Sequence, residues 1–204
     1  MYFDPRSKEY PLKSDPLTTL VVPRPIGWIS TLTRTGLVNL APYSFFNAVA
    51  SRPPFVMFSS AGRKHSQINA EETGEFVHNL VVWDLREQMN ITSVDVGPDI
   101  SEPELAGLEM APSIAVKPPR VKQSPVALEC KYVKTVDLPC SDGKPSSYSI
   151  VIGEVVGIYI ADDVIIDGRV DLSAKQAVAR LGGLDQYTSV DNVFKMRRPA
   201  PTPK

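Results

Sequence analysis

The segment Gly62-Arg63-Lys64-His65-Ser66 places two fixed cations, an imidazole and a hydroxyl at the start of an expected helix over residues 64–73. Free N–H groups at a helix start carry partial positive charge, so with Arg63, Lys64 and Ser66 they suit a doubly charged phosphate. Ser59 and Ser60 leave the apolar run 55–59 toward the same turn. A solvated basic turn is the plain alternative. The stretch 41–49 is a second candidate, because it sets small residues, a proline and aromatics around Ser44 and Asn47. Such a loop can bring backbone N–H and C=O groups up to a planar ligand while Phe45 and Phe46 anchor it in the core. Arg180 is a third, since a guanidinium fork matches phosphate oxygens. Followed by Leu181-Gly182-Gly183, it equally fits a helix C-terminus with a cation on its dipole and glycines as the stop.

Other chemistries find little support. Neither a Gly-x-x-x-x-Gly-Lys-Ser/Thr loop nor a Gly-x-Gly-x-x-Gly turn is present, and no Gly-x-Ser-x-Gly elbow serves a serine nucleophile. His78 falls on the same face as Phe76 and Leu80 of an expected strand, which reads as a satisfied core imidazole. Cys130 and Cys140, with only two histidines in the chain, match no zinc spacing and make no disulfide framework. A net charge of −1 provides no field for nucleic acid or an anionic membrane. No apolar run reaches the roughly 20 residues of a membrane span, and the polar, proline-broken segment 1–15 is unlike a signal peptide; a cytoplasmic protein is expected.

Those residues need a frame. Nineteen prolines cut the chain into short pieces, which argues against long helices. Apolar and β-branched runs at 26–33, 38–41, 55–59, 76–82, 127–136, 147–160 and 164–166 read as strands, the first two joined by a hairpin turn at Gly36. Helices are expected at 64–73, ended by Gly74; at 84–93, capped by Asp84; at 101–108, where Ser101 and Glu104 have capping-box spacing; and at 172–181. Many antiparallel strands with few short helices imply a mainly β protein, a barrel with helical decoration. At 204 residues one core suffices, so a single domain is expected, with the barrel over about 18–170 and a C-terminal helix and tail over 171–204.

Three consecutive fragments carry a family resemblance: Pro23-Arg24-Pro25-Ile26-Gly27-Trp28-Ile29-Ser30-Thr31, Asn39-Leu40-Ala41-Pro42-Tyr43-Ser44-Phe45-Phe46-Asn47-Ala48-Val49, and Pro53-Pro54-Phe55-Val56-Met57-Phe58-Ser59-Ser60. Gly62-Arg63-Lys64-His65-Ser66, Thr73-Gly74-Glu75-Phe76-Val77-His78-Asn79-Leu80-Val81, Gly153-Glu154-Val155-Val156-Gly157 and Arg180-Leu181-Gly182-Gly183 with Tyr187 follow in order. The whole resembles the flavin reductase-like, FMN-binding split-barrel family, which includes flavoredoxin and the reductase components of two-component flavin monooxygenases.

The resemblance implies an antiparallel split β-barrel of Greek-key type holding FMN non-covalently. It would place Ser30, Thr31, Ser44, Asn47, Ala48 and Val49 along the isoalloxazine, Ser59, Ser60, Arg63, Lys64 and Ser66 at the phosphate, and Arg180 near FMN or the phosphates of a nicotinamide nucleotide. NADH or NADPH is the implied electron donor, with no catalytic side chain required because the cofactors carry the reactive electrons. The electrons would go to an oxygenase, an acceptor protein or a small oxidant; an FMN-holding electron carrier is the alternative. A homodimer is implied, with residues 192–199 over the partner or the pocket. His65 stands where the family often has an acidic residue, and Tyr159 where related reductases often carry histidine.

Overall fold

A computed structural model describes residues 2–7, 12–13 and 16–200. Part of the polar segment 1–15, and Pro201 and Pro203 of the proline-rich end, lie outside the described residues. The main sheet has seven antiparallel strands: β1 (Gly27–Leu32), β2 (Val38–Tyr43), β3 (Phe46–Ser51), β4 (Pro54–Ala61), β5 (Glu75–Asn79), β6 (Val126–Pro139) and β7 (Pro145–Ile160). Their order across the sheet is β2-β1-β5-β6-β7-β4-β3. The fold is a mainly β split barrel.

The expected β1–β2 hairpin is present. Gly36 takes φ +90°, Gly36 N–H donates to Thr33 O at 3.0 Å, and Thr33 N–H donates to Leu37 O at 2.9 Å. Strand β2 lies at one edge of the sheet and β3 at the other, yet only Ser44 and Phe45 separate them in sequence. Tyr43 and Phe46 are three Cα steps apart and can be at most roughly 11 Å from each other. The sheet must therefore curl until its edges nearly meet, and a seam runs where they do. Ser59 N–H of β4 donates to Phe45 O at 2.8 Å and ties that seam. Pro42 is tolerated in β2 because an edge strand need not donate outward.

Inside the barrel pack Ile29, Tyr43, Phe46, Val56, Phe58, Phe76, Cys130, Val151 and Val155. Phe58 meets Phe76 edge to face at 5.5 Å, and a Cβ on Gly153 of β7 would stand 2.4 Å from the Phe76 ring, so only glycine lets the strand pass there. Strand β1 is buried on its other face too, where Trp28 joins Leu40, Val81, Leu85, Met89 and Val121, its indole N–H donating to Thr92 Oγ1 at 2.9 Å.

Helix α1 (His65–Thr73) begins after Lys64 and stops at Gly74, whose φ is +76°, close to the expected bounds. The other helices differ from expectation. Residues 83–85 form a 3₁₀ turn before α2 (Arg86–Ile91), and Asp84 lies inside that turn instead of capping it. Ser101 precedes α3 (Glu102–Leu105) without a side-chain cap, so the expected capping box with Glu104 is not formed; Glu102 reaches across to Asn39 and the Leu40 amide.

The expected helix over 172–181 is absent. Ser173–Lys175 is a 3₁₀ turn, Gln176 turns left-handed with φ +50°, and Val178–Arg180 becomes a strand between Arg24–Pro25 and Tyr187–Ser189. Gly182 and Gly183 turn a hairpin closed by Leu181 N–H to Gln186 O at 2.9 Å. Residues 46–49, expected as part of a loop over 41–49, open β3 instead, since pairing with β4 satisfies their backbone.

Candidate functional site

A cleft of about 230 Å³ opens at the barrel seam. Its walls come from the end of β2 and the link (Pro42, Tyr43, Ser44, Phe45), from β4 (Ser59, Ala61), from the start of α1 (Lys64, His65, Ser66) and from the loop Thr92 to Val96. At the α1 end, Ile68 N–H to Lys64 O is the first bond of the helical ladder, and no side chain caps the N-terminus. The amides of His65, Ser66 and Gln67 are left without a ladder or cap acceptor, the condition under which a helix start binds an anion. Lys64 adds an ammonium, in an exposed pair with Asp95 at 3.4 Å. This donor set fits a phosphate.

Beneath the cleft lies a buried polar layer. Asn39 donates to Glu102 at 2.6 Å and accepts from Ser66 at 2.9 Å and Thr31 at 3.2 Å, and Asn69 donates to Thr31 at 3.1 Å. The layer pins α1 against β1 and β2, so the helix start faces the cleft at a fixed angle. Burial raises the Tyr43 phenol above its ordinary range, against the opposing influence of the nearby Ser66 and Ser60 hydroxyls. Tyr43 is therefore neutral, and its ring lines the cleft.

The residues expected at the site divide. Ser44, Ser59, Lys64 and Ser66 converge on the cleft. Ser60 is buried just behind it, its hydroxyl on Gly62 O at 2.8 Å. Ser30 and Thr31 do not reach it: both are fully buried, Ser30 donating to Pro119 O at 2.7 Å and Thr31 serving the Asn39 layer. Arg63 turns away along α1 into an ion pair with Glu71. Burial pushes Glu71 up, but hydrogen bonds from Gln67, Thr135 and Arg63 outweigh it and leave its carboxyl below the usual range. Asn47, Ala48 and Val49 stand exposed on edge strand β3, clear of the cleft within one chain. Arg180 lines a smaller adjoining cleft with Ile26, Pro42, Ser44, Met89, Ser93 and Tyr187.

Sequence reasoning missed Asn39, Tyr43, Glu102 and the loop Thr92 to Val96. A polar asparagine inside an otherwise apolar strand was the available signal for the first. Of the two histidines, His65 lines the cleft and His78 is placed away from it, buried and stacked on Phe46 at 4.3 Å, where desolvation lowers its pKa to about 4. Tyr159 is covered by the Arg120 guanidinium at 3.5 Å.

The flavin reductase like domain matches residues 19–170, which spans the barrel from before β1 to beyond β7. The chain belongs to the flavin reductase like family. As a member of that family it is a flavin-binding oxidoreductase. Among solved structures, nitrilotriacetate monooxygenase component B from Bacillus cereus superposes with a TM-score of 0.87 at 30% identity, over 96% of this chain and 98% of that one. The 2-nitrobenzoate 2-nitroreductase of Pseudomonas fluorescens gives 0.80 at 32% identity, over 92% and 91%. A protein of Deinococcus radiodurans is 36% identical over 206 residues, 95% of this chain and 86% of its own length. Among the described residues no helix is long and apolar enough to cross a membrane, and no cluster of ligating side chains could hold a metal ion.

Proposed function

We propose that this chain binds FMN non-covalently at the seam cleft, takes reducing equivalents from NADH or NADPH, and hands them to an oxygenase partner or another acceptor. The observation that carries the reading is the uncapped start of α1, with Lys64 and Ser66 beside it, opening onto the barrel seam of a flavin reductase like chain. FMN supplies the two-electron chemistry when bound. The protein's part is to bind and orient: the His65, Ser66 and Gln67 amides and Lys64 hold the phosphate, Ser44 and Ser59 meet polar atoms of the flavin, and Tyr43 with Phe45 excludes water from one side. No side chain is required to move a proton.

A cleft of about 230 Å³ is below the ~300 Å³ at which ligand pockets usually begin, so one chain encloses a flavin incompletely. Strand β3 is exposed from Asn47 through Ser51, Val49 included, which leaves an open edge beside the seam. A second copy seated there completes the pocket in this reading and makes the protein a homodimer, with Asn47, Ala48 and Val49 at the shared boundary. Similarity to a monooxygenase component B supports an oxygenase as the acceptor, and the cytoplasm, where reduced nicotinamide nucleotides are kept, is the proposed location.

Purified protein is expected to take up FMN and to turn from yellow to colourless when NADH or NADPH is added without oxygen. A folded protein that binds no flavin would refute the reading. Bound flavin that neither nucleotide reduces would mark an electron carrier instead, a role to which the lack of an imidazole at Tyr159 is suited.

A further inference from the structure

Arg24 and Arg180 lie opposite each other in the small ribbon beside the seam, as register partners. Arg24 is only 5% exposed and spends its guanidinium on main-chain carbonyls, donating to Thr18 O, to Val21 O at 2.8 Å and to Leu181 O at 2.7 Å. Arg180 donates to Tyr187 Oη at 2.7 Å and Gly183 O at 3.3 Å, with its guanidinium 4.5 Å from the Tyr187 ring centre. The Nε of each is buried with no hydrogen-bond partner, and neither arginine has a carboxylate at ion-pair distance among the described residues. A buried cation beside a half-buried one, with no counter-ion for either, is costly, because an unpaired charge loses hydration with nothing in return. Burial, and then the charge of Arg180, hold Arg24 below its ordinary pKa, as such crowding requires.

The cleft that Arg180 lines, about 80 Å³, has room for a phosphate and not for a flat ring. It shares Pro42, Ser44 and Ser93 with the seam cleft on one side. On the other it shares Met89 and Tyr187 with a cleft of about 250 Å³ that also has Val178 and Leu184 in its walls. The sequence of compartments is thus a ring-sized polar cleft, a cationic pinch, and a largely apolar cleft with an aromatic wall.

The geometry points to a dinucleotide groove in which Arg180 clamps the pyrophosphate of the reducing pyridine nucleotide and the adenosine lies between Tyr187, Met89, Val178 and Leu184. The assignment rests on the proposed nicotinamide-dependent reading and adds to it where the donor binds. Arg24 is the support: saturated by carbonyls, it keeps positive charge beside Arg180 without competing for the ligand. The pyrophosphate provides the missing counter-charge, and its two phosphate groups suit a fork with N–H groups still free.

ADP-ribose, which carries the pyrophosphate and adenosine but no nicotinamide, is the probe. Calorimetric titration of the full-length, FMN-supplemented protein should show saturable binding. Arg180→Gln should weaken it by about 10- to 100-fold, the range for losing a charge-assisted contact, while FMN affinity, read by flavin fluorescence, stays within about twofold. Arg180→Lys keeps the charge and loses the fork, so it should fall between, and it decides the matter where the glutamine variant does not fold. Wild-type protein that ignores millimolar ADP-ribose, an Arg180 variant that binds it as the wild type does, or one that loses FMN as severely as ADP-ribose, would each overturn the assignment. FMN uptake in the same samples tests the flavin reading separately.

Discussion

His78 makes the stability of this barrel depend on pH between about 6.5 and 4. Its imidazole is fully enclosed, stacked on Phe46 at 4.3 Å, with Nε2 3.3 Å from Ile26 O and Nδ1 without a partner. Desolvation lowers its pKa from 6.5 to about 4. In the unfolded chain the ring takes up a proton as the pH falls through 6.5, whereas in the folded chain it resists until about 4. Proton uptake therefore favours unfolding throughout that interval, and the contribution is full above 6.5 and lost as the pH falls toward 4. A shift of this size is worth at most about 3 kcal/mol, and about 2 kcal/mol of it is lost between pH 7.5 and 5.0. His78→Phe keeps a flat ring against Phe46 and removes the titration. Urea unfolding at one fixed protein concentration should show wild-type stability dropping by about 2 kcal/mol more than that of His78→Phe over the same pH step. The carboxylates held low in the fold, Glu71 and Glu75, are common to both proteins and cancel in the difference. Equal losses in the two proteins would refute the reasoning.

Lys64→Met should weaken FMN binding by about 10- to 100-fold, the loss of one charge-assisted contact, without moving the melting temperature, because its pair with Asp95 is exposed; fluorescence titration checks the first and calorimetry the second. Asp95→Asn frees Lys64 and should tighten FMN by a few-fold at most, the scale of a surface ion pair. Native protein should react with Ellman's reagent at Cys140, which is exposed, while Cys130, whose thiol burial pushes up, reacts only after denaturation. Gly153→Ala drives a methyl into the Phe76 ring and should cost about 1–3 kcal/mol in urea unfolding, since the enclosed ring has nowhere to move.

What could be read in advance was local. The strand runs announced themselves by composition between proline breaks, Gly36 and Gly74 marked a turn and a helix end, and the cations beside Ser66 marked the start of α1 that is proposed to hold the phosphate, because helix start and charges are neighbours in the chain. The failures involve partners distant in sequence. Residues 172–181 carry a helical pattern, but Val178–Arg180 is claimed as a strand by Arg24–Pro25, more than 150 residues earlier. The resemblance implies flavin contact for Ser30 and Thr31, whereas both faces of β1 are covered within one chain: α1 and the Asn39 layer on one side, the Trp28 cluster and Pro119 on the other.

The seam explains why the site lies where it does. Seven strands whose outermost pair are joined by only Ser44 and Phe45 must close, yet β2 and β3 are not hydrogen-bonded neighbours. Closure without pairing brings the β2 end, the Ser59 side chain and the uncapped, unpaired amides of the α1 start around one gap. Unpaired polar groups at a partly enclosed gap need water or a ligand rich in acceptors and donors. In the proposed reading a flavin's pyrimidine edge and phosphate supply both, so the proposed binding site is a consequence of how this sheet closes. Changes that shift the seam, such as loss of the Ser59–Phe45 tie, act on ligand affinity before they act on the core.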